Sequence, residues 1–168
     1  MRVRGARPED LDGITAIYNE QVRNGTATFD TEPRDAGAAR DWFAAHDALR
    51  HPVLVAEDAD YLAGWASLTA WSTRGAYACT VEASVFVAAG YRRRGVGGLL
   101  TAALEDAARR AGHRVILGRI EAGNTASLEL FARAGYRTVG VMHQVGEKFG
   151  RQLDVVLVER VLTEQEEK

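Results

Sequence analysis

Apolar residues near the start of the chain recur at helical spacing. In "PEDLDGITAIYNEQVRNG", Leu11, Ile14, Ile17 and Tyr18 form one stripe and Gly25 stands beyond the last turn, which predicts a helix over 8–24. The preceding "RVRGAR" reads as a short first strand. "TATFDTEPRD" breaks the period and has the turn chemistry of a loop, with Phe29 its one large apolar side chain. Helical periodicity returns over 36–50 and stops at His51-Pro52, because proline disfavours helix for the residue before it.

From Pro52 the period changes. "VLVAED", "YLAGWASLTAW" and "YACTVEASVFV" are rich in β-branched and aromatic residues between turn-like breaks, the pattern of three strands. After a glycine-rich turn, Leu99, Leu100, Ala103, Leu104, Ala107, Ala108 and Ala111 form the apolar stripe of a long helix. "RVILGRIEA" reads as a strand, and "NTASLELFARAG" as a short helix with Asn124 at its N-cap and Gly135 just past its end. "YRTVGVMHQ" and "LDVVLVERVL" complete the strands. The predicted order is β-α-α-β-β-β-α-β-α-β-β, one mixed α/β domain over 1–162, with the acidic tail 163–168 expected to fray. No repeat or linker interrupts it.

Composition narrows the function classes. The chain has 168 residues and a formal net charge of −2, so no global field recruits nucleic acid or an anionic membrane. Cys79 is the single cysteine, which excludes a disulfide framework; the thiol is expected to be packed in a strand rather than to act as a nucleophile. His46, His51, His113 and His143 lack metal-ligand spacing, and no metal is expected. Neither a signal peptide nor a run long enough to span a bilayer is legible. The expected location is cytoplasmic, without a nucleic-acid or membrane partner.

The chemistry concentrates at "VFVAAGYRRRGVGGLL". A strand breaks at Gly90, passes Arg92, Arg93 and Arg94, then Gly95, Gly97 and Gly98, and becomes the long helix. A P-loop would need Lys-Ser/Thr where Leu99 and Leu100 stand, and a dinucleotide fingerprint would need a third glycine at Leu100. What fits is a pyrophosphate cradle. Glycines let main-chain N–H groups face an anion, the helix start adds unpaired donors and its positive dipole end, and the arginines add charge. A solvated basic turn is the alternative reading.

"YRRRGVGGLL" resembles the acyl-CoA-binding motif of the GNAT superfamily of N-acetyltransferases, with Arg92, Gly95 and Gly97 at its defined positions. "TATFDTEP", "TVEASVFV", "IEAGNTASLELFARAGY" and "VGEKFGRQLDVVLV" are similar to the phosphinothricin and methionine sulfoximine acetyltransferases, from about Arg2 to about Leu162. The resemblance implies an α/β fold with a central, mostly antiparallel sheet flanked by helices. It also implies acetyl-CoA as co-substrate, a small amine as acceptor and a homodimer.

Carried over residue by residue, the resemblance implies that Val85, Phe86 and Val87 bind the pantetheine arm through main-chain groups. The main chain from Arg92 through Arg93, Arg94, Gly95, Val96 and Gly97 to Gly98 would hold the pyrophosphate. Asn124, with Ser127 near it, would contact the cofactor, although a plain N-cap is an equal reading of Asn124. Glu82 matches the general base of relatives. Acetylation needs a neutral amine, and a carboxylate in a partly apolar cleft can take the ammonium proton directly or through water. Arg74 is a candidate for holding an acceptor carboxylate, with a surface arginine as the other reading. Tyr77 matches the same segment of relatives, and Phe29, Lys148 and Phe149 fall in segments that border the acceptor pocket. Phe131 stands where many relatives carry an acidic tyrosine, so no general acid is assigned.

Direct transfer from thioester to amine is expected, with proximity and main-chain stabilisation of the oxyanion sharing the work. Ser72, Ala78 and Gln152 depart from the relatives at positions near the acceptor. Two other readings stay open: acetylation of protein N-termini or lysines, and a non-catalytic acyl-CoA-binding domain.

Overall fold

Alternating apolar residues along 53–87 fold into three consecutive antiparallel strands, and the rest of the chain builds outward from them. In this computed structural model, which describes residues 1–59 and 61–162, the elements are β1 (Arg2–Gly5), α1 (Leu11–Asn24), α2 (Ala36–Ala44), β2 (Val53–Asp58), β3 (Tyr61–Ala70), β4 (Thr80–Val87), α3 (Val96–Arg110), β5 (Val115–Glu121), α4 (Thr125–Arg133), β6 (Arg137–Lys148) and β7 (Arg151–Val161). All seven strands share one sheet, in the order β1-β2-β3-β4-β5-β7-β6. Only β4 and β5 run parallel; every other pair is antiparallel. The α/β class, the element order and the mostly antiparallel sheet are those expected from the sequence. The tail 163–168 lies outside the described residues.

Each face of the sheet has its own apolar layer. Leu68, Val81 and Ile116 pack with Leu100 and Leu104 of α3 and Phe131 of α4. On the opposite face Val55, Trp65 and Phe86 pack with Ile14, Tyr18 and Val22 of α1. Trp65 and Phe86 stack with centroids 4.7 Å apart and planes 18° from parallel. Burial of such side chains contributes roughly 1.5–3 kcal/mol each, so α1 and α3 clamp the middle of the sheet from both sides.

The structure departs from several predicted details, and some departures have a clear local reason. The second helix stops at Ala44 because the Asp47 carboxylate accepts the Leu49 and Arg50 amides at 3.0 and 2.6 Å, a turn that competes with helix. Leu99 is exposed, because α3 starts at Val96 and buries the Val96, Leu100, Leu104 and Ala108 row instead. The last two strands are longer than their apolar runs. They continue as a hairpin through Gly146, Glu147 and Lys148, closed by Phe149 and Gly150 with φ of 54° and 70°. A two-residue hairpin turn of this hand normally signals itself as Asn-Gly or Asp-Gly, and Phe-Gly hides it.

Gly64 sets how closely α3 approaches the sheet. A β-carbon there would stand 2.7 Å from the Phe86 carbonyl oxygen and 3.2 Å from Leu100 Cδ1. The backbone cannot give way without disturbing the β3–β4 ladder, so Gly64→Ala is expected to destabilise the fold by about 1–3 kcal/mol. The check is the urea midpoint; an unchanged midpoint with unchanged slope would show that the helix can ride outward at no cost.

Candidate active site

The β4–β5 ladder stops early. Thr80, Val81 and Glu82 pair with Val115, Ile116 and Leu117, yet β4 runs on to Val87 and β5 to Glu121. Strand alternation says which groups this leaves open. Trp71 N–H donates to Thr80 O at 3.2 Å and Ala88 N–H to Ala63 O at 2.9 Å, so the even-numbered residues of β4 direct their main chain at β3. Ala83, Val85 and Val87 therefore face β5 across the gap. The same reasoning on β5 uses Leu162 N–H to Arg114 O (2.7 Å) and Ala122 N–H to Asp154 O (2.9 Å), and leaves the main chain of Arg119 and Glu121 facing β4.

This corrects one expectation. Of Val85, Phe86 and Val87, the middle residue does not offer its main chain to a ligand in the gap. The Phe86 carbonyl points into β3, close against Gly64, and its ring is spent on Trp65. Val85 and Val87 face the gap, although Arg92 Nε reaches the Val87 carbonyl at 3.4 Å.

A cleft of about 570 Å³ passes through the gap. Its α4 side is lined by Val85, Asn124, Ser127 and Phe131, and its α1 side by Tyr18, Phe29, Trp42 and Trp65. Between them lie Ser67, Thr69, Glu82, Arg119 and Glu121. Glu82, expected from sequence, is in the wall, with a side chain 16% exposed. Both its oxygens are held: Arg119 Nε donates to Oε1 at 2.8 Å and Nη2 to Oε2 at 2.6 Å. The carboxylate raises the Arg119 pKa further, and the guanidinium lies 5.5 Å from the centre of the Trp71 ring. Glu121 accepts from the Thr26 hydroxyl and the Gly123 amide, both at 2.8 Å, which draws the 26–30 loop to the end of β5.

That loop roofs the cleft and is anchored by buried polar groups. The Tyr18 hydroxyl donates to Asp30 at 2.5 Å and shares a 2.8 Å bond with Thr28, while burial pushes its pKa up. Asn19 clamps the Arg34 backbone through two 2.8 Å bonds, and the Arg34 guanidinium lies 4.2 Å from the Tyr18 ring centre and 4.7 Å from that of Trp42. Its Nη1 is buried without a partner among the described residues.

The glycine turn leads from β4 to α3. Gly95 has φ 81° and is the N-cap, a conformation that L-residues with a β-carbon adopt at a cost. Gly97 serves packing: a β-carbon there would stand 3.0 Å from Leu130 of α4. No side chain caps α3 and no acidic residue occupies its first turn, so the amides of Val96, Gly97 and Gly98 are open beside exposed Arg93 and Arg94. The Arg92 amide is not free; it reaches Ala89 O at 3.4 Å, and its side chain pairs with Glu20 at 3.0 Å. Asn124 Oδ1 accepts the Ser127 amide at 3.2 Å, so this residue caps α4 and lines the cleft at once.

Several expected acceptor residues are not brought to the cleft. Arg74 and Tyr77 sit at an exposed turn before β4, and Phe149 is 56% exposed at the hairpin tip. Lys148 is buried and works as a strut, donating to Gln21 O at 3.1 Å and Thr28 O at 2.9 Å, with burial lowering its pKa. Phe29 does line the cleft, resting against Gly146, where a β-carbon would fall 2.2 Å from its ring. His143 is exposed beside Asp154, 3.3 Å away. Cys79 is only partly buried rather than packed, and the Arg114 guanidinium 3.3 Å from its sulfur pulls the thiol pKa down.

Sequence reasoning missed Arg119, Arg34 and Tyr18. Arg119 had a signal, since it interrupts the apolar run "RVILGRIEA" as Glu82 interrupts "TVEASVFV". Arg34 lies in a polar loop and had none.

The acetyltransferase (GNAT) family profile matches residues 14–136. The chain is 41% identical to the L-methionine sulfoximine/L-methionine sulfone acetyltransferase of Pseudomonas paraeruginosa over 158 residues, 94% of this chain and 92% of that one. It is 42% identical to the phosphinothricin N-acetyltransferase of Streptomyces coelicolor over 166 residues, 96% of each. The GNAT superfamily phosphinothricin acetyltransferase of Sinorhizobium meliloti, solved in complex with acetyl-CoA, superposes with a TM-score of 0.92 at 31% identity, covering 96% of this chain and 88% of that one. A sheet that parts beside a carboxylate, an uncapped helix after a glycine turn, and relatives matched along nearly their whole length place this chain in the GNAT family of acetyltransferases.

Proposed function

We propose that the protein transfers acetyl from acetyl-CoA directly to the primary amine of a small amino acid or amino-acid analogue, of the kind named for its relatives. The observation that carries this is the end of the β4–β5 ladder at Glu82, which sets open main-chain groups and a carboxylate in the same cleft. The residues present suit acetyl-CoA. Main-chain groups of Ala83, Val85 and Val87 would hold an extended amide-containing arm as a strand holds its neighbour. The uncapped start of α3, with Arg93 and Arg94, would hold the diphosphate. Asn124 and Ser127 stand on the α4 side of the same passage.

Acetyl-CoA supplies an activated acyl group: the carbon–sulfur bond breaks, the carbon–nitrogen bond forms, and CoA leaves as thiol. Glu82 takes the proton that the acceptor ammonium must lose. A carboxylate offers about four acceptor positions and Arg119 uses two, so an oxygen lone pair remains for the ammonium N–H or a bridging water. From Glu82 the proton passes to solvent. Phe131, buried against Tyr136 at 4.8 Å, has no proton to give, so the second proton, which the nitrogen loses as the carbon–nitrogen bond forms, reaches the departing sulfur through water. A free thiol at Cys79 fits a reducing cytoplasm as the place of action.

The test is CoA-thiol release against a panel of amines containing phosphinothricin, methionine sulfoximine, methionine sulfone, ordinary amino acids, polyamines and short peptides. Saturable release is expected with at least one amino-acid analogue; release with peptides alone would assign a protein acetyltransferase instead. Glu82→Gln is expected to bind acetyl-CoA normally by calorimetry but to lose about 10²–10⁴ in kcat at neutral pH. A near-normal kcat from pH 6 to 9 would remove Glu82 from the reaction. Gly95→Ala should strain the turn by roughly 1–2 kcal/mol and raise the KM for acetyl-CoA about tenfold while leaving the acceptor KM nearly unchanged. Equal rises in both constants would argue against a separate phosphate cradle.

A further inference from the structure

We infer that Arg119 and Glu82 together form a receptor for the zwitterionic head of a free α-amino acid, with Arg119 taking the carboxylate and Glu82 the ammonium. The inference deepens the reading above and rests on it for the chemistry, but not for the binding.

The guanidinium of Arg119 is half used. Its Nε and Nη2 donate to Glu82, while Nη1 has no protein partner among the described residues. A planar guanidinium presents two edges suited to carboxylates, the Nε/Nη2 edge and the Nη1/Nη2 edge, and only the first is taken here. The Arg119 side chain is 54% exposed and lines the cleft, so the second edge is accessible to a ligand. Pairing with Glu82 and the Trp71 ring already holds it in place, so a ligand need not order it on arrival.

Charge then selects the ligand. The pair is neutral, and a lone ammonium approaching Glu82 also meets the positive guanidinium. A molecule bearing its carboxylate on the same carbon as its ammonium cancels that repulsion, each charged group meeting its opposite across one cyclic contact. A peptide N-terminus carries a neutral amide there, and a lysine side chain carries nothing. Arg74, expected to serve the carboxylate, is exposed at a turn outside the cleft and leaves this role to Arg119.

The probe is L-methionine sulfone against its carboxamide, which differs only in the charged group, titrated by calorimetry into CoA-saturated protein so that no turnover occurs. Wild type is expected to bind the free acid about 10- to 100-fold more tightly, the range of one charge-assisted bidentate contact. R119Q should abolish that preference while binding CoA as before, and R119K should retain part of it. Equal binding of acid and amide to wild type, or a preference that survives in R119Q, overturns the inference. If the preference behaves as expected but no amine is acetylated, the binding site stands and the proposed reaction falls.

Discussion

Two parallel strands that pair for three residues and then part leave main-chain donors and acceptors without partners. In a protein interior such groups cost about 1–3 kcal/mol each unless something else satisfies them. Here the divergence opens a cleft through the sheet rather than a buried void, so solvent or a ligand can reach them. Nearly everything else in the fold holds the strands apart without unravelling the sheet. β4 is secured on its other edge by an unbroken seven-residue register with β3, and β5 by an equally long register with β7.

The packing layers reinforce this. α3 crosses behind β3 and β4 and can approach because Gly64 has no β-carbon. Gly118 lets Phe131 of α4 close against β5, where a β-carbon would lie 3.5 Å from the ring and 3.0 Å from Val158. On the opposite face Trp65 and Phe86 stack under α1 and pin the far end of β4 to β3. With both strands anchored away from each other, the gap is a fixed feature of the ground state. Residues 88–95 carry the chain from the end of β4 to the uncapped N-terminus of α3.

Glu82 sits at the last paired position, which gives it a rigid backbone and an open cleft beside its side chain. Arg119, two residues past its neighbour's last pairing, reaches back across the opening to hold it. A partly buried carboxylate needs such a partner, and a bidentate one fixes orientation as well as charge. The roof is assembled from distant segments: Glu121 holds Thr26, Lys148 holds the Thr28 carbonyl, and Gly146 makes room for Phe29. The loop that bounds the α1 side of the cleft is thus fastened to β5, β6 and α1 together.

The sequence by itself determined the elements, their order and the fold family, and it singled out Glu82 and the glycine turn as candidates. Apolar periodicity, caps and turn residues report local conformational preferences, and those survive folding wherever packing agrees with them. The same reading placed Lys148 at the acceptor and left Arg119 out, because neither role is a local property. Glu82 and Arg119 lie 37 residues apart, and Lys148 and Thr28 lie 120 apart. Glu82 and Arg119 meet only through strand register, where a shift of one residue would turn either to the other face of the sheet, and Lys148 meets the Thr28 loop only once β6 is in place. Where a side chain ends up depends on which strands stop pairing, and only the tertiary structure decides that.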